Sequence, residues 1–372
     1  MASDHKQSEV EREAHVTLAL VTGIGAFRLA ALRRRFGSAE QALRARFEEL
    51  VRVDGMTELV AAAVNKANRE AAREALRSAA QMGAQVLVPD DPGYPAMLRS
   101  IPNPPLVLFV HGNAGILAAP AVAIVGSRDH SAYGAEVGRA LGRAAARAGL
   151  VVVSGMARGL DSIAHMAALD GGGATIGVLG TGLGVIYPAT NRDLYDRVVK
   201  QGLLLTEFPP GAPPTAGSFA RRNRLISGLA RVTVVVEAAE LSGTLGTVRH
   251  ALDQGREVLA VPGPITSRVS AGTNALIRDG AGPLLELRDL LDHYPELEVR
   301  RADPAPSDPE GPPLFGRLLA ALGKQPLPAG QLIEQCGAPV GEALAALSAL
   351  ELRGTVRQEA GLYRTVAAGL FG

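Results

Sequence analysis

Glycine, serine, threonine and arginine residues follow several short apolar runs of the chain. Residues of these types bind phosphate, because exposed backbone N–H groups and the planar guanidinium group both donate hydrogen bonds to anionic oxygens. The residues in these positions are Gly126, Ser127, Arg128, Ser154, Gly155, Arg158, Gly159, Ser242, Gly243 and Thr244. A single glycine at such a turn has an ordinary steric explanation. Their coincidence at several turns favours a phosphate-bearing ligand.

A basic segment, FARRNR, precedes the apolar run 232–238. Its arginines are candidates for holding phosphates, and its phenylalanine is a candidate for stacking a base, as in proteins that bind single strands. The candidate residues in it are Phe219, Arg221, Arg222, Asn223 and Arg224. The chain as a whole has a net charge of only +1, but residues 121–283 contain 16 basic and 12 acidic residues. The nearly neutral total therefore conceals a basic central region.

Sequence motifs for the common nucleotide cofactors do not occur in the chain. The first candidate turn, Gly126-Ser127-Arg128, is not the G-x-G-x-x-G of dinucleotide-binding proteins, and GTGLG at 180–184 spaces its glycines differently. The chain also has no G-x-x-x-x-G-K-[ST] motif for nucleoside triphosphates and no G-x-S-x-G nucleophile motif. We therefore expect no cofactor and no nucleophilic serine.

Few residues are candidates for acid–base or metal chemistry. Asp161 and His165 are four residues apart in a predicted helix, so they could form an acid–base couple, two metal ligands, or a pair that fixes the helix start and the histidine tautomer. The carboxylates near strand ends are Glu207, Glu237 and Glu240. The single cysteine, Cys336, excludes an internal disulfide and a multi-cysteine metal site. The candidate acid–base groups are sparse, and we expect no bound metal.

The elements that position these residues form an α/β fold. Continuous Val/Ile/Leu runs alternate with helical patterns, which predicts a Rossmann-like, doubly wound, mostly parallel sheet buried on both faces. The runs are 122–126, 150–155, 175–180, 203–207, 232–238 and 257–263, preceded by the strand-like segments AQVLVPDD and LVLFVHG. Ligands of such sheets bind beyond the carboxyl ends of the strands. The candidate turns should therefore meet at one edge.

Five segments are predicted along the chain. They are a flexible tail (1–15), a helical domain (16–82), the Rossmann-like domain (83–298), a Pro-rich linker (299–312) and a winged-helix domain (313–372). The helical domain has glycine turns at Gly23-Ile24-Gly25 and Asp54-Gly55-Met56, as in SAM-like or helix-hairpin-helix modules, which bind either DNA phosphates or other protein segments. The third helix of the winged-helix segment carries Glu342 and Glu351, so protein contact is as good an interpretation there as DNA reading.

The sequence offers no membrane or export signal. It contains no run of about eighteen apolar residues, and its first fifteen residues are polar and mixed in charge. We therefore expect a cytoplasmic protein without a membrane partner.

The motifs together resemble the DNA-processing protein A (DprA/Smf) family over roughly residues 85–285. The segments that carry the resemblance are AIVGSRDHSAYG, VVSGMARGLDSIAHMAAL, GGATIGVLGTGLGVIYPATNRDL, TEFPPG, FARRNRLISGLA, VVVEAAELSGTLGT and VLAVPGPI. One departure is SGTLGT, where the family more usually has SGSL-x-T. The change is conservative and still permits a phosphate-facing turn.

This resemblance implies a non-enzymatic function. Members of the family bind single-stranded DNA, form homodimers through the Rossmann-like domain and load a RecA-type recombinase during natural transformation. The turns at 126–128, 154–159 and 242–244 and the segment 219–224 would form the DNA-binding pocket. Two alternatives remain at this point. A lysine-decarboxylase-like phosphoribohydrolase would use Glu237 or Glu240 beside the phosphate turn, and a protein-interaction scaffold would bind no DNA.

Overall fold

The structure, a computed structural model, describes residues 2–297, 312–323, 325–352, 355–359, 361–365 and 371. Its contacts divide the chain into two compact units, 1–285 and 286–372. The predicted linker, 299–312, lies outside the described residues except for Pro312. No helix in the described ranges combines the length and apolar character needed to cross a membrane.

The first unit contains a nine-stranded sheet in the order β1-β2-β6-β5-β4-β3-β7-β8-β9. Its strands are β1 (Gln85–Leu87), β2 (Leu108–Gly112), β3 (Ala121–Val125), β4 (Val151–Ser154), β5 (Thr175–Val178), β6 (Leu203–Thr206), β7 (Val232–Val235), β8 (Glu257–Ala260) and β9 (Gly282–Pro283). The pairs β1–β2 and β2–β6 are antiparallel, and the others are parallel. The predicted mostly parallel sheet is confirmed.

Thirteen α-helices accompany this sheet among the described residues of the first unit. They are α1 (Ala2–Leu20), α2 (Ala26–Phe36), α3 (Ala39–Arg44), α4 (Phe47–Val51), α5 (Glu58–Asn65), α6 (Arg69–Gln81), α7 (Ala96–Arg99), α8 (Ala132–Arg147), α9 (Leu160–Asp170), α10 (Arg192–Gln201), α11 (Ala216–Gly228), α12 (Thr244–Asp253) and α13 (Ala271–Arg278). Short 3₁₀ helices cover Ala114–Ala118 and Ala189–Asn191.

Helices cover both faces of the sheet, as the buried strands require. Side chains of a strand alternate between the two faces, so neighbouring residues enter different cores. Leu203 and Leu205 of β6 pack in the core that includes residues of α11 and α12, whereas Leu204 packs with residues of α6 and α10. This arrangement is the doubly wound architecture predicted from the continuous apolar runs, and it leaves the carboxyl ends of the parallel strands at one edge.

The expected tail over 1–15 is wrong, because α1 begins at Ala2 and continues to Leu20. Polar contacts to the sheet segment explain why a charged sequence is ordered here. Arg12 pairs with Asp91 at 2.8 Å, and the buried His15 lies 2.7 Å from the carbonyl oxygen of Leu106. Desolvation lowers the pKa of His15, which favours its neutral form.

The expected domain boundary between residues 82 and 83 is not a boundary in packing. Val16 of α1 and Ala79 of α6 share a core with Phe109 of β2 and Leu204 of β6. A separate core of the helical segment, which includes Leu32 and Leu50, lies between α1 and α5. The helical segment thus has some core of its own, yet it also closes one face of the sheet.

The second unit has a winged-helix architecture, as predicted. Its elements are α14 (Leu287–Leu291), α15 (Pro313–Leu322), β10 (Leu327–Pro328), α16 (Ala329–Cys336), α17 (Val340–Leu352), β11 (Val356–Glu359) and β12 (Leu362–Thr365). The strands pair antiparallel in the order β10-β12-β11. Leu318, Leu332 and Leu347 connect the three longer helices in one core. Glu342 and Glu351 of α17 are exposed.

Candidate nucleic-acid interface

A cavity of about 450 Å³ lies at the carboxyl ends of the parallel strands. We call it the strand-exit cavity. It is lined by Arg128 after β3, by Gly155, Ala157 and Arg158 after β4, by the loop 186–190, and by Phe219 and Arg222 of α11. Five of the fifteen candidate residues therefore line one cavity, in the place that a doubly wound sheet offers to a ligand.

Glycine allows the turns after β3 and β4 to lie against each other. Gly159 has a φ of +81°, and a Cβ atom there would lie 2.5 Å from the carbonyl oxygen of Arg128 and 2.6 Å from that of Ser127. The N–H of Leu160 donates to the Ser127 oxygen at 3.2 Å, and the N–H of Ser127 donates to the Glu237 carbonyl oxygen at 2.8 Å. The contacts fix the backbone that carries Arg128 and Arg158.

Arg128 and Arg158 are the accessible cations of the strand-exit cavity. Both side chains are exposed. Within the described part of the chain, neither is in salt-bridge distance of a carboxylate. Since neither guanidinium has a competing carboxylate at hand, both are available to an anionic ligand.

Arg222 has a different role, because its side chain is buried in the wall of the cavity. It donates hydrogen bonds to the carbonyl oxygens of Gly155, at 2.5 Å, and of Val178. Burial lowers the pKa of Arg222 to about 10, while the nearby Asp161 opposes this shift. Arg222 therefore remains charged near neutral pH. It holds the exits of β4 and β5 together.

An aromatic pair also forms part of the wall. The rings of Tyr187 and Phe219 are 5.1 Å apart with an interplanar angle of 41°. Asn191 anchors the loop that carries Tyr187 by donating to the carbonyl oxygen of Met156 at 2.9 Å and to Ser162 Oγ at 2.9 Å. The sequence analysis overlooked Tyr187, although the segment VIYPATN directly after the glycine turn 180–184 was a signal.

Glycine is also required where Phe219 packs on the exit of β5. A Cβ atom on Gly180 would lie 2.6 Å from Phe219 Cδ1. Gly180, the first glycine of GTGLG, thus makes room for the Phe219 ring.

Arg221 and Arg224 do not face the strand-exit cavity. Both donate to the same oxygen of Glu207, Oε2, at 2.9 and 2.7 Å respectively. The Arg221 guanidinium also lies 5.3 Å from the centre of the Phe208 ring. Residues two apart on a helix differ by about 200° in direction. This spacing puts Arg221 and Arg224 on the face of α11 opposite Phe219 and Arg222.

The remaining candidates support the turns. Ser154 is fully buried and donates to the Ile124 carbonyl oxygen at 2.7 Å, so it connects β4 to β3. Thr244 Oγ1 donates to the Gly126 carbonyl oxygen at 3.0 Å and accepts from Ser242 Oγ at 3.0 Å. The exposed Gly243 lies between them, at the start of α12. Asn223 of α11 is half-buried and lies beside Gly246 of α12.

Asp161 and His165 are not paired with each other. Asp161 Oδ2 accepts from the N–H groups of Gly155 and Ala157 at 3.2 and 3.4 Å, and burial raises the pKa of its carboxyl group. His165 Nδ1 lies 2.6 Å from Thr175 Oγ1, which itself donates to the Val152 carbonyl oxygen. Desolvation lowers the pKa of His165 to about 3. The structure favours the interpretation in which these residues fix the helix start and the tautomer.

Comparison with known proteins assigns the family. Residues 85–295 match the family model described as DNA recombination-mediator protein A, and residues 302–361 match the DprA winged helix domain. The chain belongs to the DNA recombination-mediator protein A family. The resemblance seen in its motifs is thereby confirmed.

Relatives of this recombination-mediator family cover between 56% and 92% of the chain. Protein Smf of Synechocystis sp. is 32% identical over 92% of this chain and 95% of its own length. The X-ray structure of DNA processing protein A from Streptococcus pneumoniae has a TM-score of 0.66 at 32% identity and covers 75% of this chain and 95% of that chain. A structure that describes the single-stranded DNA binding mode of DNA processing protein A from Helicobacter pylori has a TM-score of 0.52 at 29% identity, over 56% of this chain and 94% of that chain.

Proposed function

We propose that this member of the family binds single-stranded DNA in the strand-exit cavity. The observation that carries the proposal is the placement of two exposed arginines, Arg128 and Arg158, in the same cavity as the Tyr187–Phe219 ring pair. Phosphates and bases alternate along a strand, so a site for single strands needs both kinds of group side by side. The Helicobacter pylori relative, whose structure shows a single-stranded DNA binding mode, supports this assignment.

The two kinds of contact imply a preference for single strands without a preference for sequence. Arginine and backbone N–H groups contact phosphates, which are the same at every nucleotide. A ring face stacks on any base, because every base has a π-face. The bases of a duplex are already stacked on one another, so Phe219 has no free base to contact there.

Removing the base and the ring together tests the stacking contact. Phe219→Ala should weaken the binding of oligothymidylate by about 1–3 kcal/mol, which is the usual contribution of one stacked base. An abasic oligonucleotide should bind the unmodified protein more weakly than oligothymidylate does. It should bind Phe219→Ala and the unmodified protein with equal affinity. If the two losses add instead, Phe219 does not stack on a base. A matched duplex should bind more weakly than the single strand in every case.

A non-enzymatic role agrees with the environment of Glu237, the carboxylate that a phosphoribohydrolase would need. Glu237 is buried, and its two oxygens accept from the N–H and the hydroxyl group of Ser131 at 2.9 and 2.5 Å. Both oxygens are thus engaged at the start of α8. Glu240 is exposed. Incubation with nucleoside monophosphates should release no free base, and release would support the enzyme instead.

We further propose that the protein forms a homodimer through the Rossmann-like domain, protects incoming DNA and loads a RecA-type recombinase in natural transformation. The description of the matching family as a recombination mediator supports this role. The measurements are the solution mass and the rate at which a RecA-type recombinase assembles on a strand covered by single-strand-binding protein. A monomer, or an unchanged assembly rate, would contradict the respective part.

A further inference from the structure

A second cavity, of about 370 Å³, lies between the helical segment and the sheet within the first unit. We call it the hairpin cavity. It is lined by the turn between α1 and α2 (Gly23, Ile24 and Gly25), by Arg28, and by Glu207, Arg221 and Arg224. Arg221 and Arg224 of α11 line this cavity, whereas Phe219 and Arg222 line the strand-exit cavity, so the two cavities are on opposite faces of the same helix.

The positive end of α2 lies at the hairpin cavity. The first residues of a helix have N–H groups without partners inside the helix, and an N-cap side chain usually accepts from them. Here the N-cap is Gly25, so no side chain does so. The first N–H to bond back along α2 is that of Leu29, to the Gly25 carbonyl oxygen at 2.9 Å. The helix has eleven residues, so its N-terminus attracts an anion.

Two buried side chains that line the cavity, Arg224 and Glu207, have polar atoms without partners. Arg224 uses only Nη2, while its Nε and Nη1 are buried without a hydrogen-bond partner. Glu207 uses only Oε2, and its Oε1 is equally without a partner. Leaving buried polar groups unpaired costs about 1–3 kcal/mol each, and more for charged groups. The unpaired atoms of Arg224 and Glu207 therefore leave this part of the cavity wall short of hydrogen-bond partners.

The charge of the cavity selects an anion. Its wall contains three arginines, Arg28, Arg221 and Arg224, and one carboxylate, that of Glu207. Arg28 donates to the carbonyl oxygens of Gly23 and Gly55 at 2.5 and 2.7 Å, which fixes the turn and keeps its charge there. Two uncompensated positive charges and a helix N-terminus thus converge on one space.

We propose that the hairpin cavity is a second DNA contact, which takes a phosphodiester group of the single strand that is bound in the strand-exit cavity. The phosphate of a nucleotide fits this charge, because it accepts from arginine and from the N–H groups at the start of α2. The proposal rests on the proposed function for the strand itself. Because α11 separates the cavities by about its own diameter, near 10 Å, only a strand long enough to pass the helix reaches both.

Gly25→Asp gives the sharpest test, because the structure indicates that the variant folds. Gly25 has an extended backbone (φ −115°, ψ −178°), and a Cβ atom there meets nothing within 4 Å. Aspartate is a preferred N-cap in this geometry, so it should not destabilise α2. Its carboxylate would accept from the same N–H groups and repel a phosphate. We expect about tenfold weaker binding of an oligothymidylate of about twenty nucleotides, and unchanged binding of one of about six.

Gly25→Asn separates charge from capping, since asparagine caps the helix without a negative charge. Gly25→Asn should weaken the binding of the longer oligonucleotide less than Gly25→Asp does. Arg221→Gln removes one exposed cation from the cavity. For the longer oligonucleotide, it should lower the slope of log affinity against log salt by about 0.7. Arg44→Gln is the control, because Arg44 is an exposed arginine of the helical segment that pairs with Glu40 at 2.7 Å. It should change neither quantity.

Inorganic phosphate distinguishes the strand from a free anion. Phosphate should raise the melting temperature of the unmodified protein more than that of Gly25→Asp, and it should compete with the longer oligonucleotide. Equal binding of the longer oligonucleotide to Gly25→Asp, Arg221→Gln and the unmodified protein would overturn the second DNA contact, even with a difference in the phosphate shift. If the unmodified protein binds no single strand at all, the proposed function fails, and the difference between the two phosphate shifts then decides whether the hairpin cavity binds anions.

Discussion

Removing both exposed arginines of the strand-exit cavity tests whether this cavity holds phosphates. Arg128 and Arg158 line the cavity without a carboxylate partner among the described residues. Each phosphate contact contributes about 0.7 to the slope of log affinity against log salt for a single strand. The double variant Arg128→Ala/Arg158→Ala should therefore lower that slope by about 1.4. Between about 50 and 200 mM salt, the loss of affinity on adding salt should shrink by about sevenfold.

Fluorescence anisotropy with a labelled oligothymidylate at several salt concentrations measures this slope. The matched control is Arg197→Ala/Arg278→Ala, which removes the same charge from the half-buried Arg197 and the exposed Arg278, which pair with Asp170 and Asp279 at 2.8 and 3.1 Å. The control changes the net charge equally but should leave the slope nearly unchanged, since these residues lie outside the cavity. Circular dichroism spectra of the variants verify that they are folded.

The titration gives a slope and an affinity, and each of them tests the phosphate contacts of the two arginines separately. A double variant with an unchanged slope and unchanged affinity would show that the strand binds elsewhere. An unchanged slope with weaker affinity would show that the arginines shape the cavity without touching phosphate. A slope that falls equally in the control would mean that net charge alone explains the effect.

Three further variants test how the site is held. Gly159→Ala should destabilise the protein by about 1–3 kcal/mol in urea unfolding and weaken DNA binding, because φ is +81° and the new Cβ would press on the Arg128 carbonyl, whereas Gly217→Ala, with open space, should not destabilise it. The pKa of His165 is about 3 in the folded state against about 6.5 unfolded, so the unfolded chain gains the proton first as the pH falls. Because of this difference in pKa, the free energy of unfolding should fall by about 2 kcal/mol from neutral pH to pH 5. Urea titrations at both pH values should show no such fall for His165→Asn. Glu237→Gln should cost about 1–2 kcal/mol of stability by mismatching Ser131, yet leave DNA binding intact; loss of binding without loss of stability would contradict a purely structural role.

The sheet could be predicted from sequence because its signal is redundant. Runs such as 150–155 and 232–238 are apolar without interruption, which is the pattern of strands buried on both faces. The first fifteen residues were wrongly predicted as a tail, because α1 is stabilised by residues far along the chain. Arg12 pairs with Asp91, and His15 contacts Leu106, so the order of this segment depends on partners that local composition does not contain.

The candidate site was predicted as one pocket, and the structure divides it. Arg128, Arg158 and Phe219 do share the strand-exit cavity. Burial and hydrogen-bond partners determine the roles of the other candidate residues. Ser154 is buried and bonds to a neighbouring strand, and Arg224 pairs with Glu207. These distinctions depend on which face of an element a residue occupies and on what packs there, which a list of residue types does not specify.

The segment 219–224 shows why a block replacement of its arginines would give a misleading result. One helix places Arg221 and Arg224 at the hairpin cavity and Arg222 in the wall of the strand-exit cavity. Arg222→Ala would leave the Gly155 and Val178 carbonyl oxygens without a donor and Asp161 without its nearby cation. Its loss of DNA binding would therefore reflect displaced turns after β4 and β5, and not a lost phosphate contact. Arg221, which is exposed and lies over Phe208, can be removed without that damage. Only single variants that keep Arg222 can separate the contribution of each cavity to strand binding.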